Sequence, residues 1–249
     1  MVVLVAKQAV NTGSLPVLNV SANWKNGTGS VKAEKNGKLW YKITEIEAST
    51  QKKFEKLLKS EKKLFQGDDT FTGSAFADTL TSFDGKDLVK AGEGADTVRG
   101  GNAADRLFGE GGDDAMSGDA GADLLVGGKG RNTLTGGDGK DSFQFNAALD
   151  SANRSDPANQ STITDFRIGA DTLELDRSVF KGIGTKGNLS GDSFFLYPDV
   201  TKTPNEHSVI YDKALGELWY TEDGSIISAI LFAKVTPGVD LSSKDFLIV

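Results

Sequence analysis

The chain has 249 residues, of which 38% are hydrophobic and 25% are charged, enough apolar material for a core in one or two domains. It contains no Cys and a single His, so disulfide bonds are excluded and soft transition metals have almost nothing to bind. No apolar run is long enough to cross a bilayer, so no transmembrane segment is expected. The net charge is −7, and we expect no nucleic-acid partner.

The two ends of the chain differ in charge. Residues 1–65 carry twelve Lys against five Glu, a net charge of +7, whereas residues 66–249 carry sixteen basic and thirty acidic residues, a net charge of −14. Carboxylates in the acidic part repel one another and oppose folding unless cations bind. The basic part is expected to dock either on the acidic part or on an anionic surface.

Residues 1–47 are predicted to form a small β region. Apolar and β-branched residues place its strands at 2–10, 15–21, 29–34 and 38–47. The dipeptide Asn36-Gly37 between the last two strands is a strong hairpin signal. Core packing is the favoured role for Trp24 and Trp40, and stacking on sugar rings is the alternative.

Residues 48–63 are predicted to form a basic amphipathic helix. Phe54, Leu57 and Leu58 share one face, lysines occupy the other, and Ser49 suits the N-cap. We expect the helix to cover the open end of the element that follows, because unpaired strand edges invite aggregation. Binding to a membrane surface or to a calmodulin-like partner is the alternative.

A nine-residue pattern, G-G-x-G-x-D-x-U-x with U apolar, repeats nine times without a gap over residues 64–144. The sixth position holds Asp in eight copies and an amide in the other: Asp69, Asp78, Asp87, Asp96, Asp105, Asp114, Asp123, Asn132 and Asp141. The eighth position is apolar in every copy: Phe71, Leu80, Val89, Val98, Leu107, Met116, Leu125, Leu134 and Phe143. Repeats of this period are typical of a solenoid, whereas a disordered Gly/Asp-rich linker, the alternative, would not require the apolar position.

The pattern predicts a mainly all-β fold, a parallel β-roll (a calcium β-solenoid) with a small N-terminal β region, a capping helix and a β-rich C-terminal cap. In each copy six residues form a glycine-rich turn and three form a strand whose middle side chain points into the core. One lap then takes two copies, so copy n stacks on copy n+2. Carboxylates stacked at about 4.8 Å repel one another unless a cation lies between them.

Calcium suits this spacing because it takes about 6 to 8 oxygen ligands, and two stacked turns offer two carboxylates and several carbonyl groups. Nine copies minus the two that start the columns leave at most seven sites. The turn residues expected beside the sixth-position ligands are Gly92, Gly94, Gly100, Gly109, Gly112, Gly118, Gly121, Gly127 and Gly136. The first two copies lack turn glycines, so binding at Asp69 and Asp78 is expected to be weak or absent. Asn132 is expected to bind with one charge fewer.

These repeats resemble those of the repeats-in-toxin (RTX) family of secreted bacterial proteins. The resemblance implies a calcium-loaded β-roll, type I secretion and an extracellular or cell-surface location. Residues 145–249 are similar to the domain that caps the roll in serralysin-type proteases and alginate epimerases. The last five residues, Asp245, Phe246, Leu247, Ile248 and Val249, resemble an uncleaved type I secretion signal, although any last strand can be apolar.

Enzyme motifs are not evident. The single His207 excludes the two-His helix motif of serralysin-type proteases, and we expect it to be a surface loop residue. No G-x-S-x-G elbow and no phosphate-binding loop occur. Two carboxylates alone suffice for glycoside hydrolysis, so that chemistry stays open.

We therefore expect a secreted, non-enzymatic calcium-binding protein whose roll folds on extracellular calcium and whose partners are calcium and the type I secretion machinery. The alternatives are an adhesive module for polysaccharide, a cell surface, a surface layer or a biofilm, and a carboxylate-dependent enzyme acting on polysaccharide. The adhesive module would use the face of the roll together with Trp24 or Trp40. A separate alternative is that the calcium is purely structural and the activity lies elsewhere in the chain.

Overall fold

The computed structural model describes residues 67–149, 151–152, 158–199 and 203–249, together with the backbone of four N-terminal strands. These strands are β1 (Val2–Leu4), β2 (Asn19–Lys25), β3 (Thr28–Lys35) and β4 (Lys38–Thr44). The predicted helix at 48–63 and parts of the predicted strands lie outside the described residues.

Each nonapeptide contributes one strand, which confirms the predicted β-roll. The strands are β5 (Thr70–Thr72), β6 (Asp78–Asp84), β7 (Leu88–Glu93), β8 (Thr97–Asn102), β9 (Arg106–Gly111), β10 (Ala115–Gly121), β11 (Leu124–Val126), β12 (Arg131–Gly139) and β13 (Ser142–Phe145). Odd copies pair in parallel as β5-β7-β9-β11-β13, and even copies as β6-β8-β10-β12. Registers such as Thr79 opposite Thr97 and Leu88 opposite Arg106 confirm a lap of eighteen residues.

The eighth position of every copy lies in the core. All nine of these side chains are at most 2% exposed. They form an apolar ladder between the two sheets, in which each member stacks on the equivalent residue one lap away. Burial of this single position per copy is what the nine-residue period predicts.

All the strands of the even copies, and β7, β9 and β13 of the odd copies, are longer than the predicted three residues. In β10, Ser117 is followed by turn residues that stay in parallel register, with Asp119 opposite both Gly101 and Gly137. Turn backbones of successive laps therefore also stack. At the second position of the turn φ is positive in copies three to nine, and Phe83, Glu110 and Asp119 adopt this conformation although they are not Gly.

The N-terminal strands extend both sheets of the roll. β1 pairs in parallel with β6, and β2 pairs in parallel with β5. β2, β3 and β4 form an antiparallel meander, and Lys35 lies opposite Lys38 as the hairpin prediction requires. These strands therefore cover the strand edges of the first lap.

The C-terminal part continues the two sheets and then changes topology. Its strands are β14 (Gln160–Ile163), β15 (Thr172–Leu175), β16 (Gly187–Asn188), β17 (Phe194–Tyr197), β18 (Ser208–Asp212), β19 (Glu217–Thr221), β20 (Ile230–Lys234) and β21 (Phe246–Ile248). β14 pairs in parallel with β12, and β15 with β13. β18, β19 and β20 are antiparallel. The apolar core is continuous from Phe71 in the first copy to Ile248 in β21.

Two C-terminal features differ from expectation or add to it. His207 lies in the bend before β18, as expected of a loop residue, but it is half-buried: its ring lies against Gly182, and its Nδ1 is 3.1 Å from the Tyr220 hydroxyl. Phe246 and Ile248 of the terminal segment are buried in β21, where they pair with β15. Within the described ranges, we find no helix with the length and apolarity of a membrane span.

Candidate metal centre

Buried carboxylates form two columns along the roll. The first column contains Asp69, Asp87, Asp105, Asp123 and Asp141, and Asp171 continues it beyond the repeats. The second column contains Asp78, Asp96, Asp114 and Asn132. Each of these side chains is at most 4% exposed. The structure therefore brings together the sixth-position residues in the order predicted from the stacking of copy n on copy n+2.

In every column residue after the first, one side-chain oxygen accepts a hydrogen bond from the backbone of the preceding lap. The Asp87 N–H donates to Asp105 Oδ1 at 2.8 Å, and the Asp96 N–H donates to Asp114 Oδ1 at 2.9 Å. The same bond, at 2.7 to 3.1 Å, recurs at every step of both columns. These bonds lock the carboxylates in one orientation.

The second carboxylate oxygen has no hydrogen-bond partner although it is buried. This holds for Oδ2 of Asp87, Asp96, Asp105, Asp114 and Asp123. Backbone carbonyl oxygens lie close to these atoms: a side chain at Gly118 would fill the space between Asp123 Oδ2 and the Gly136 carbonyl oxygen. A side chain at Gly109 would likewise meet Asp114 Oδ2 and the Gly127 carbonyl oxygen. A buried acceptor without a donor is costly, so these oxygens require a cation or a proton.

Burial also raises the pKa values of the column carboxylates. It raises the pKa of Asp105 to about 8, against the hydrogen bond from the Asp87 N–H, and the charges of Asp87 and Asp123 raise it further. Burial raises the pKa of Asp69, Asp114 and Asp123 to about 7, and that of Asp87 and Asp96 to about 6. A cation between the laps would favour the charged form of these carboxylates, so it would offset the effects of burial and mutual repulsion on their pKa values.

The donor set fits calcium. Each step offers carboxylate oxygens from two laps and turn carbonyl groups, which are hard oxygen ligands. Within the described ranges, no group of three or more His, Cys, Asp or Glu side chains comes together. When calcium binds, it supplies the positive charge that the paired carboxylates lack, and the turn glycines leave room for it. The metal-ligand assignments themselves remain predictions.

The start of each column departs from the interior. Both carboxylate oxygens of Asp69 are without a hydrogen-bond partner. Asp78 Oδ2 accepts from the Ser74 N–H at 2.6 Å and from the Ser74 hydroxyl at 2.8 Å, so a side chain takes up the oxygen that is free elsewhere. At Asp78 the two Ser74 contacts would compete with a cation, and the weak binding expected in the first two copies stays a prediction.

Sequence analysis missed two residues of the site, Asp171 and Arg167. Asp171-Thr172-Leu173-Glu174 repeats the D-x-U-x half of the nonapeptide without its glycine-rich turn, and this was the available signal. The Asp141 N–H donates to Asp171 Oδ1 at 3.1 Å. Asp165 occupies a nearby turn position, where it accepts from the N–H groups of Gly136 and Gly137 at 2.9 and 2.8 Å.

Two parallel sheets wound at one strand per nonapeptide, with carboxylates stacked between their turns, define a β-roll of the calcium-binding class. The comparison with protein families agrees: the RTX calcium-binding nonapeptide repeat matches in four copies, over residues 65–98, 81–116, 90–125 and 117–147. The chain therefore carries RTX calcium-binding repeats, and Ca²⁺ is the metal that they bind.

Several solved structures are similar in part. The AlgE6R3 subunit of the Azotobacter vinelandii mannuronan C5-epimerase is 22% identical, with 74% of this chain and 79% of that chain covered and a TM-score of 0.33. The AlgE6R2 subunit of the same epimerase is 22% identical, with coverages of 72% and 92% and a TM-score of 0.38. Extracellular lipase LipA from Serratia marcescens is 15% identical, with coverages of 74% and 38% and a TM-score of 0.25. Comparison with curated protein sequences gave no match.

Proposed function

We propose that this chain is a secreted, non-enzymatic protein whose β-roll folds on extracellular calcium after type I secretion. Residues 64–144 form the calcium unit and residues 145–249 the C-terminal cap and secretion region. The observation that carries the proposal is the row of buried Oδ2 atoms without hydrogen-bond partners, from Asp87 to Asp123. Because only stacked laps bring two carboxylates together, calcium binding and folding are one equilibrium.

The concentration of calcium then decides where the roll folds. Extracellular calcium sites bind with dissociation constants of roughly 0.1 to 1 mM, so submicromolar cytosolic calcium leaves the laps unfolded and the chain in a form that can be exported. Outside the cell, calcium neutralises the columns and the roll closes.

Circular dichroism of the full chain tests calcium-gated folding. After chelation, a calcium titration should give a cooperative gain of β signal near 1 mM, and magnesium should not reproduce it because it demands octahedral geometry at shorter distances. A β signal that is complete in chelator and indifferent to calcium would contradict the proposal.

Export is tested separately by deleting residues 245–249 in a bacterial host that carries a type I exporter. The deletion should abolish secretion, whereas Ile227→Asp, a change at an 87% exposed apolar residue, should leave it intact. Loss of β21 from the folded core does not confound this test, because the chain is exported unfolded in our proposal. Undiminished export of the truncated chain would remove the signal assignment.

One groove favours glycan binding as a second candidate function. It has a volume of about 260 Å³ on the C-terminal sheet and combines the rings of Tyr197 and Trp219 with the carboxylates of Asp212 and Glu217. Aromatic faces beside hydrogen-bonding groups suit a sugar ring. Retention of the calcium-loaded chain on amylose or cellulose, lost in Trp219→Ala while calcium-dependent melting persists, would establish it. Equal elution of both proteins from these resins would dismiss it.

A further inference from the structure

The first column ends at a positively charged side chain, that of Arg167. Arg167 Nη2 lies 3.1 Å from Asp141 Oδ2, 3.1 Å from Asp171 Oδ1 and 2.8 Å from the Gly139 carbonyl oxygen. Two carboxylates from successive laps and a turn carbonyl thus surround one nitrogen. The same kinds of oxygen line the interior steps of the column, where calcium is expected.

Asp171 continues the column geometrically. The Asp141 N–H donates to Asp171 Oδ1 at 3.1 Å, just as the Asp123 N–H donates to Asp141 Oδ1 at 3.0 Å. Asp171 Oδ2 accepts from the Arg167 backbone N–H at 2.8 Å and from its Nε at 3.3 Å. The guanidinium group therefore satisfies both carboxylates at the step between Asp141 and Asp171.

The C-terminal end of the first column differs from its interior in the surroundings of Oδ2. Oδ2 of Asp87, Asp105 and Asp123 is buried without a partner, whereas Oδ2 of Asp141 is held by Arg167. The side chains of Asp141 and Asp171 are 0% and 1% exposed. Two such buried carboxylates need a neutralising charge, and a guanidinium supplies it permanently because its pKa lies above any physiological pH.

The second column also ends in a nitrogen donor. Asn132 Oδ1 accepts from the Asp114 N–H at 3.0 Å, as an Asp would, which assigns the amide orientation. Its Nδ2, which stands where Asp has Oδ2, donates to the Gly128 carbonyl oxygen at 3.3 Å. Asn132, the last residue of the second column, therefore places a hydrogen-bond donor where the other column residues have a carboxylate oxygen.

We propose that Arg167 takes the place of the last calcium ion of the first column and that Asn132 closes the second, so the C-terminal lap is complete without metal. The inference rests on the proposed calcium-gated folding of the repeats.

Arg167→Ala tests the replacement directly. The variant leaves the carboxylates of Asp141 and Asp171 facing each other without a cation, and the oxygens around them become a calcium site. We expect one more calcium ion per chain than in the wild type by equilibrium dialysis. We also expect a lower melting temperature in chelator and a calcium-induced rise that exceeds that of the wild type by about 4 °C or more.

Arg99→Ala is the matched control. Arg99 also pairs with an aspartate, since its Nη2 lies 3.0 Å from Asp119 Oδ1, but its side chain is 60% exposed and lies outside the columns. This variant should bind as many calcium ions as the wild type and show the same calcium-induced rise.

The possible results separate the two proposals. An unchanged calcium count in Arg167→Ala, with equal losses of melting temperature in chelator and in calcium, would overturn the role of Arg167. A wild type that binds no calcium would instead overturn the proposed function. If Arg167→Ala fails to fold under both conditions, Asn132→Asp decides: it should melt lower in chelator and gain more from calcium than the wild type, and the absence of both effects would overturn the inference.

Discussion

The repeats and the C-terminal part share two sheets but are stabilised differently. In the repeats each lap buries two ladder side chains and two column residues, so one buried polar residue accompanies each apolar residue of the ladder. In the C-terminal part the core is a cluster of aromatic rings: Phe180 lies 5.0 Å from Phe232 and 5.2 Å from Tyr220 between ring centroids, edge to face. The comparison shows that one continuous core combines a region that depends on cations with a region that depends on apolar burial.

This difference follows from what a lap can bury. A solenoid lap contacts only its neighbours, so its stability is an intrinsic term plus the interfaces on either side. With buried like charges at those interfaces, the interface term is favourable only when a cation is present. The aromatic cluster requires no such partner, since burial of large rings is favourable at any calcium concentration.

The largest effect is expected from Phe180→Ala, which tests whether apolar burial stabilises the C-terminal part independently of calcium. Phe180 is 1% exposed, and its truncation should lower the free energy of unfolding by about 4 kcal/mol, with the same loss in calcium and in chelator. Urea unfolding followed by tyrosine and tryptophan fluorescence would measure it. Phe76→Ala, the same change at a residue that is 56% exposed, should have little effect. A loss at Phe180 that appears only with calcium would break the proposed division between the regions.

Asp105→Ala and Asp123→Ala should have the next largest effect. Each residue has column neighbours in the laps on both sides, so each change should cost about 3 kcal/mol of calcium-dependent stability. Asp69→Ala, at the end of the same column, should cost less. Thermal melting at saturating calcium gives the comparison, and similar losses for all three variants would count against an array of shared sites.

Without calcium, a substitution in a column should stabilise the roll instead of destabilising it, provided that the new side chain keeps the hydrogen bond. Asp105→Asn retains the acceptor for the Asp87 N–H but removes a carboxyl group whose pKa is raised to about 8, mainly by burial, so the metal-free roll no longer has to hold its charge or bind a proton. Without calcium the variant should show more β structure by circular dichroism than the wild type, and at saturating calcium it should melt lower. A variant with no more β structure than the wild type in chelator would show that the Asp105 carboxyl is not what opposes the metal-free roll.

The smallest effect concerns the turns. Ala103 has φ of 76°, a left-handed conformation that costs an L-residue free energy, so Ala103→Gly should stabilise the roll by about 0.5 kcal/mol. Gly112→Ala places a methyl group at φ of 126° against the Gly94 carbonyl oxygen and should destabilise. Melting of both variants at saturating calcium measures this pair of opposite shifts, and a stabilising Gly112→Ala would show that turn stacking is looser than the structure indicates.

The sequence alone was sufficient to predict the fold of the roll. The period of nine predicted the lap of eighteen residues, the burial of the apolar ladder from Phe71 to Phe143 and the order of both columns. It did not predict that Asn132 would use its amide nitrogen to close a column, because its identity showed only a missing charge.

The nine-residue period was sufficient to predict the structure of the repeats because each residue contacts its equivalent one lap away. The local sequence pattern therefore also predicts the long-range contacts. Arg167 and Asp171 follow Asp141 after a loop with no counterpart in the repeats, and no spacing rule places a side chain across such a loop. Only the tertiary structure decided that this guanidinium reaches back between two laps, because its position depends on the path by which β15 returns beside β13. The same reason applies to the last residues: their apolar character was visible in the chain, but their burial beside β15 was decided by the sheet that receives them.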